Sequence, residues 1–311
     1  MVAFSQCISE NSSVNDLKPF KWADQLSPKL LKSPWWIGHI PFAFELIGRL
    51  RPSTVVELGT YSGSSFAAFC QAVEACGAPT KCYGVDLWAG DMHMGKFDEE
   101  LYLEISEYMK ANYPDIATLI RKDFNEASAS FADNSIDLLH IDGTHTYEAV
   151  SNDFHTWFGK LSDRAVVLFH DVNVNVENTG PASVHFGVRK FFDSVKGDYP
   201  HIEFLHCWGL GVLIVGKQAP AAVIELVEMS ASPEFAAYFE QKGAEVSKQF
   251  ESMAVVLPQH SPYGEAPAVE VAVAPPAIEI PVEPPTVDVA VETPPIWRRA
   301  VNKLGRMVSR L

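Results

Sequence analysis

No stretch of this 311-residue chain approaches the ~20 uninterrupted apolar residues that a membrane span requires. The opening segment, MVAFSQCISENSSVND, has no basic stretch followed by an apolar run, so no secretory leader is expected. Basic side chains are scarce: 24 Lys and Arg stand against 39 Asp and Glu, a formal charge of −15. Binding a phosphate backbone needs a basic face, so nucleic acid is not an expected partner. The five cysteines (Cys7, Cys70, Cys76, Cys82 and Cys207) form no Cys-x-x-Cys pair and read as reduced thiols of a cytoplasmic protein. A G-x-G-x-x-G fingerprint is also missing, which disfavours a nicotinamide-dependent oxidoreductase. What is present is apolar material: 47% hydrophobic residues, 19 Phe and a mean hydropathy of +0.02 exclude a globally disordered chain.

Composition breaks near residue 258. Residues 258–295 hold ten prolines, six acidic residues and no Lys or Arg. Proline fixes φ and removes backbone donors, so these 38 residues read as a disordered, polyproline-II-prone acidic linker. Residues 296–311, IWRRAVNKLGRMVSRL, carry five basic residues and no acidic one. Trp297, Ala300, Val301, Leu304, Met307, Val308 and Leu311 recur at helical spacing, which predicts a basic amphipathic helix. Such a helix would dock on an anionic membrane surface, at the inner face of a membrane, or on an acidic partner protein. The alternative is that it folds back onto its own acidic domain.

Upstream of the linker, buried runs alternate with amphipathic stretches. Strands are expected at 54–59, 82–87, 118–121, 136–141, 165–170, 202–206 and 211–215, with helices at 64–76, 99–112, 147–158 and 184–195. Alternation of this kind predicts an α/β fold with a doubly wound, mostly parallel sheet, and the closely spaced last two strands suggest a terminal antiparallel hairpin. Residues 1–52 form an N-terminal helical segment in this reading, 53–217 the sheet-bearing α/β domain, and 218–257 a helical extension with Pro233 starting its second helix.

Ligands of such sheets sit beyond the carboxyl ends of the strands, where three groups of residues fall. The first strand runs into Glu57-Leu58-Gly59-Thr60-Tyr61-Ser62-Gly63-Ser64-Ser65, a glycine-bearing strand–helix turn. The second ends at Asp86, which can accept both hydroxyls of a ribose. The fourth ends in Ile141-Asp142-Gly143-Thr144-His145-Thr146-Tyr147 and the fifth in His170-Asp171-Val172-Asn173. Neighbouring strands thus each present a carboxylate at one edge, which is costly unless a cation or proton separates them. Mg²⁺ or Mn²⁺ suits such oxygen ligands, and histidine would also admit Zn²⁺ or Fe²⁺. His145 could instead cap the following helix, and His170 could be a core histidine satisfied by backbone. Residues 88–97 and 173–187 are placed to act as lids, and residues 34–51 either line an acceptor pocket or form a helix packed on the sheet. His39, Asp91, His93 and His185 are further candidates.

The E-L-G-x-Y-x-G-x-S turn, Asp86 and the I-D-G-T-H-T-Y segment together resemble the class I S-adenosylmethionine-dependent methyltransferases. Within that class the likeness is to metal-assisted O-methyltransferases, of the catechol type and, nearer still, the macrocin-type sugar enzymes. The resemblance covers roughly residues 53–217 and implies a Rossmann-like, seven-stranded sheet ending in a reversed hairpin. It implies S-adenosyl-L-methionine as cofactor and a small-molecule or glycan hydroxyl as acceptor. Glu57, Gly59, Tyr61, Ser62 and Gly63 would then hold the methionine part, Asp86 the ribose, and Asp123 with Phe124 the adenine. Asp142 and Asp171 match metal-binding carboxylates, and His145 matches the general base of the sugar enzymes. The chain departs from the pattern at His170, which stands where those enzymes have an acidic residue and becomes a third ligand candidate. A non-catalytic scaffold of the same fold, docked through its C-terminal helix, is the competing reading.

Overall fold

The computed structural model describes residues 20–91 and 95–254. Cys7, His93, the linker 258–295 and the basic segment 296–311 therefore lie outside the described residues. Seven strands build the main sheet: β1 Thr54–Leu58, β2 Lys81–Asp86, β3 Ala117–Arg121, β4 Ile136–Ile141, β5 Leu161–His170, β6 His201–Phe204 and β7 Leu210–Ile214. Their spatial order is β3-β2-β1-β4-β5-β7-β6. Strands β1 to β5 run parallel, whereas β7 is antiparallel to both of its neighbours, β5 and β6. This is a doubly wound, Rossmann-like α/β fold, with helices on both faces of the sheet.

The helices are α1 Lys21–Gln25, α2 Ile40–Leu50, α3 Ser64–Cys76, α4 Glu99–Asn112, α5 Phe124–Ser128, α6 Tyr147–Phe158, α7 Val176–Thr179, α8 Val188–Val195, α9 Ala221–Met229 and α10 Pro233–Ala254. Alternate strand residues feed two cores. Val55, Leu138, Val166 and Leu168 pack with α2, α3, α9 and α10, while Val56, Leu58, Leu139, Val167 and Phe169 pack with α6 and α8. Both faces are covered, which is why the strands read as continuous apolar runs rather than alternating ones. Among the described residues, no helix is long and apolar enough to cross a membrane, and no cysteine is paired.

Register aligns the strand ends. Leu58 pairs with Val85 on one side and Ile141 on the other, and Ile141 pairs with Phe169. The chain therefore leaves the sheet at Gly59, Asp86, Asp142 and Asp171 along a single edge.

Two local expectations are corrected and one open alternative is resolved. Strand β5 starts at Leu161, four residues before the expected 165, because Leu161 pairs with Ile136 while Ser162–Arg164 stay polar. The helix expected from 184 begins at Val188, after a 3-10 turn over Pro181–His185. Gly187 donates its N–H to the His145 carbonyl at 2.7 Å, and a Cβ there would overlap the Tyr147 backbone, so the chain is pinned before the helix can start. Of the two readings for residues 34–51, the helix packed on the sheet is the one seen over residues 40–50, where α2 is almost wholly buried.

Candidate active site

The turn after β1 is locked to the end of β2. Asp86 Oδ2 accepts the Tyr61 N–H at 2.9 Å and Oδ1 accepts the Trp88 N–H at 2.7 Å. The Trp88 indole returns a bond to the Tyr61 carbonyl at 2.9 Å. Tyr61 and Trp88 both take left-handed backbone angles, φ 47° and 49°, strain that only such an over-determined turn sustains. Gly59, at φ 92°, lies so close to the Asp142 carbonyl that a Cβ would overlap it, which ties the turn after β1 directly to the β4 edge. Ser62 and Gly63 continue the turn into α3, with Gly63 packed against Ile105. Asp123 caps α5 by accepting the Asn125 N–H at 2.8 Å, and Phe124 packs against Gly143. These residues form one rim of the edge.

Glu57 is placed differently from its expected ligand-facing position. It is wholly buried, with Oε1 3.0 Å from His140 Nδ1. His140 is its register partner on β4, and His140 Nε2 accepts the Trp36 indole N–H at 3.0 Å. An acceptor at Nε2 requires the proton on Nδ1, so the chain of donors runs Trp36 to His140 to Glu57. Burial raises the Glu57 carboxyl above its ordinary range despite the His140 contact.

On the other side of Gly59, the structure brings Asp142, His145, His170 and Asp171 together. His145 Nε2 lies 2.9 Å from Asp171 Oδ2 and 3.7 Å from Asp142 Oδ1. His170 Nδ1 lies 3.3 Å from Asp142 Oδ1 and 3.4 Å from Asp171 Oδ2. One donor atom each from Asp142, His170 and Asp171 fall within 4.8 Å of one another, a set able to hold a metal ion. Asp171 adopts a left-handed backbone angle, φ 62°. Phe186 stacks flat on the His145 ring, centroids 4.7 Å apart and planes 4° from parallel, and fixes the imidazole plane.

Electrostatics in the cluster follow from two acids meeting two imidazoles out of water. Burial by itself would raise both carboxyls, but the His170 charge overrides it: Asp142 is held far below the carboxylate range, and Asp171, with His145 also beside it, is lowered to about 2. Burial would lower both imidazoles, yet the carboxylates push His145 up to about 10 and His170 well above its ordinary value. The carboxylates are thus ionised and seek positive charge, from protonated imidazoles or from a cation.

Of the other candidates, His185 is exposed on its 3-10 turn and does not join the cluster. Asp91 belongs to a small antiparallel ribbon, Gly90–Asp91 with Gly95–Lys96, inside the expected lid. His39 is wholly buried behind the cluster, with its ring 5.7 Å from that of His170. Sequence reasoning missed Trp36, His140, Phe186 and the Cys207 carbonyl, which accepts from His170 Nε2 at 3.1 Å. Only His140 carried a local signal: a polar residue within an otherwise apolar strand two positions before Asp142.

Residues 56–172 match a family model described as a methyltransferase domain. Over 183 residues the chain is 42% identical to the uncharacterized protein y4gI of Sinorhizobium fredii, covering 59% of this chain but 19% of that protein. The chain therefore spans about a fifth of the length of this curated relative. Among solved structures, it is similar to the SAH-bound methyltransferase PaMTH1 of Podospora anserina, with 15% identity and a TM-score of 0.44 over 62% of this chain and 84% of that one. It is also similar to the O-methyltransferase TomG of Streptomyces achromogenes in complex with SAM, with 17% identity and a TM-score of 0.43 over 61% and 83%. The matched residues run from within β1 to just past the end of β5 and take in the aligned strand ends at Asp86, Asp142 and Asp171.

Proposed function

We propose that this chain is an S-adenosylmethionine-dependent O-methyltransferase that methylates a sugar hydroxyl, of a glycan or a glycosylated metabolite, with the help of a divalent cation. The observation that carries the reading is the convergence at one sheet edge of the Gly59–Gly63 turn and Asp86 with the Asp142, His145, His170 and Asp171 cluster. Two ionised carboxylates and one imidazole form a donor set suited to a divalent cation, with Mg²⁺ or Mn²⁺ favoured by the oxygens. The turn suits the cofactor because Gly59 and Gly63 let its backbone approach the ligand edge closely, while Asp86 at the end of β2 offers carboxylate oxygens that accept hydroxyl hydrogens. When bound, the cofactor supplies an electrophilic methyl group and the cation lowers the pKa of the acceptor hydroxyl.

The protein's own residues would do the rest. Asp86 would accept the ribose hydroxyls, the Tyr61–Gly63 backbone would hold the methionine part, and Asp123 with Phe124 would border the adenine. Glu57, on the strand that leads into this turn, would act indirectly, since its carboxylate is engaged by His140 on the neighbouring strand. Asp142, Asp171 and His170 would hold the cation and orient the acceptor oxygen in line with the methyl group. His145 Nε2 would take the acceptor proton. Its proton is held by Asp171 at 2.9 Å, so His145 becomes a base only when the charge of the two carboxylates is directed elsewhere. Basicity and cation binding are therefore coupled in this site.

Calorimetric titration of the full-length protein with S-adenosylmethionine tests the cofactor, with Asp86→Ala as control. Binding by wild type that the control loses is expected; absence of binding by folded wild type would refute the reading. Methyl transfer to a panel of glycosides, with Mg²⁺, with Mn²⁺ and with EDTA, tests acceptor and cation. Full turnover in EDTA would remove the cation, and near-wild-type turnover in folded His145→Ala would remove the base. The basic segment 296–311 completes the proposal, holding the domain at an acidic surface where its acceptor is assembled, through a spacer that raises local concentration. Its deletion should abolish binding to anionic vesicles or partner and leave turnover on a free glycoside intact; vesicle and partner binding that survive the deletion would refute this.

A further inference from the structure

The turn between β6 and β7 reaches the cluster through its backbone. The Cys207 carbonyl oxygen lies 3.1 Å from His170 Nε2 and 3.1 Å from His39 Nε2. A carbonyl only accepts, so both nitrogens must carry the proton. For His170 this leaves Nδ1 as the atom presented to Asp142 and Asp171. For His39 it leaves Nδ1 as a bare acceptor, and among the described residues that atom has no hydrogen-bond partner although the residue is wholly buried.

The turn itself is strained and held from several directions. Cys207 and Trp208 take left-handed angles of φ 48° and 63°, followed by Gly209 at 90°. Asn173, just past the cluster, donates its N–H to the Trp208 carbonyl at 2.8 Å and its side-chain amide to the Leu205 carbonyl at 2.7 Å. The Cys207 thiol points to the Trp35 carbonyl at 3.2 Å. Backbone strain of this kind persists only where surrounding contacts over-determine it, and it concentrates at functional sites.

His39 is a poor choice for packing alone. Its ring sits against Trp36, Phe204, His206 and His170, surroundings in which a phenylalanine would be at ease. An imidazole there costs the desolvation of Nδ1 and returns only the bond to Cys207, a carbonyl that His170 already satisfies. What the second donor adds is direction. With both lone pairs occupied, the carbonyl cannot rotate away from His170.

We propose that His39 is a positioning residue for the cation site: through the Cys207 carbonyl it holds His170 in the tautomer and orientation that turn Nδ1 toward Asp142 and Asp171. This role rests on the cation site proposed above. Outer partners that orient a ligating histidine are worth roughly 10–100-fold in metal affinity.

The test is Mn²⁺ affinity of the full-length protein, read from the free-ion electron paramagnetic resonance signal, for wild type and three His39 variants. His39→Gln places an amide donor where Nε2 stood and should bind within about threefold of wild type. His39→Phe keeps the packing without the donor and should bind about 10–100-fold more weakly. Should His39→Phe fail to fold, His39→Asn, whose amide is too short to reach the carbonyl, should show the same loss. Calorimetric affinity for S-adenosylmethionine should be unchanged in all of them, a readout that general loosening of the domain would move. Equal Mn²⁺ affinity in wild type and the donor-less variants would overturn the role of His39 alone. Absence of Mn²⁺ binding by wild type would overturn the cation site and this role together.

Discussion

Replacing Trp36 by phenylalanine isolates one hydrogen bond in the support of the β1 turn. The indole N–H donates to His140 Nε2 at 3.0 Å, and His140 in turn donates to Glu57 Oε1 at 3.0 Å, with all three side chains buried. Phenylalanine keeps the edge-to-face packing that Trp36 makes with Phe69, at 5.5 Å, and with His39, at 5.8 Å. It removes the donor, so a buried acceptor is left unsatisfied at a cost of about 1–3 kcal/mol. Loss of the indole's second ring leaves a partial cavity and adds about 1 kcal/mol. His140 cannot escape by changing tautomer, because a proton moved to Nε2 is one withdrawn from the buried Glu57 carboxylate. The expected loss is therefore about 2–4 kcal/mol in urea unfolding at pH 7 with an unchanged denaturant slope. His140→Leu should lose more, and adding Glu57→Gln should return part of that loss, since it removes the charge that the histidine was satisfying. A loss below about 0.5 kcal/mol for Trp36→Phe would refute the relay, because an unsatisfied buried nitrogen cannot be that cheap.

Three other outcomes follow from geometry elsewhere. Gly59→Ala forces a Cβ into the Asp142 carbonyl at a backbone angle of φ 92°, and should yield a chain destabilised by more than about 4 kcal/mol or not folded, as judged by circular dichroism and gel filtration. Asp153 is pushed up to about 7, chiefly by burial with Asp123 adding to it, so its proton is bound more tightly in the folded state. Stability should accordingly fall as pH rises from about 4 to 7, by on the order of 4 kcal/mol from this group, and Asp153→Asn should flatten that fall in pH-dependent unfolding curves; an unchanged profile would refute it. Arg49 binds the buried Glu45 at 2.6 Å and Glu225 at 3.0 Å, so Arg49→Met should cost about 3–5 kcal/mol in denaturant unfolding, with Glu45→Gln as a partial rescue. Equal stability of the single and double variants would count against the ion pair.

The amino-acid order by itself determined what depends on local periodicity and burial. Helices 64–76, 99–112 and 147–158 and strand 136–141 have the bounds their apolar spacing predicts, because side-chain period and flanking breakers act within a few residues. The strand-end carboxylates Asp86, Asp142 and Asp171 were legible for the same reason: a charge closing an apolar run marks where a parallel strand leaves the sheet. Only the tertiary structure decided which atoms meet. Glu57 looked ligand-facing from its place in the turn, yet strand register sets it against His140, with Trp36 arriving from 104 residues upstream of that histidine. Whether His170 was a core histidine or a ligand was likewise open, because its orientation is set by a carbonyl on a strained turn 37 residues later, itself held by His39. Burial is written in the pattern of each segment, whereas a hydrogen-bond partner is chosen by register, turn geometry and the docking of distant segments, none of which has a local signature.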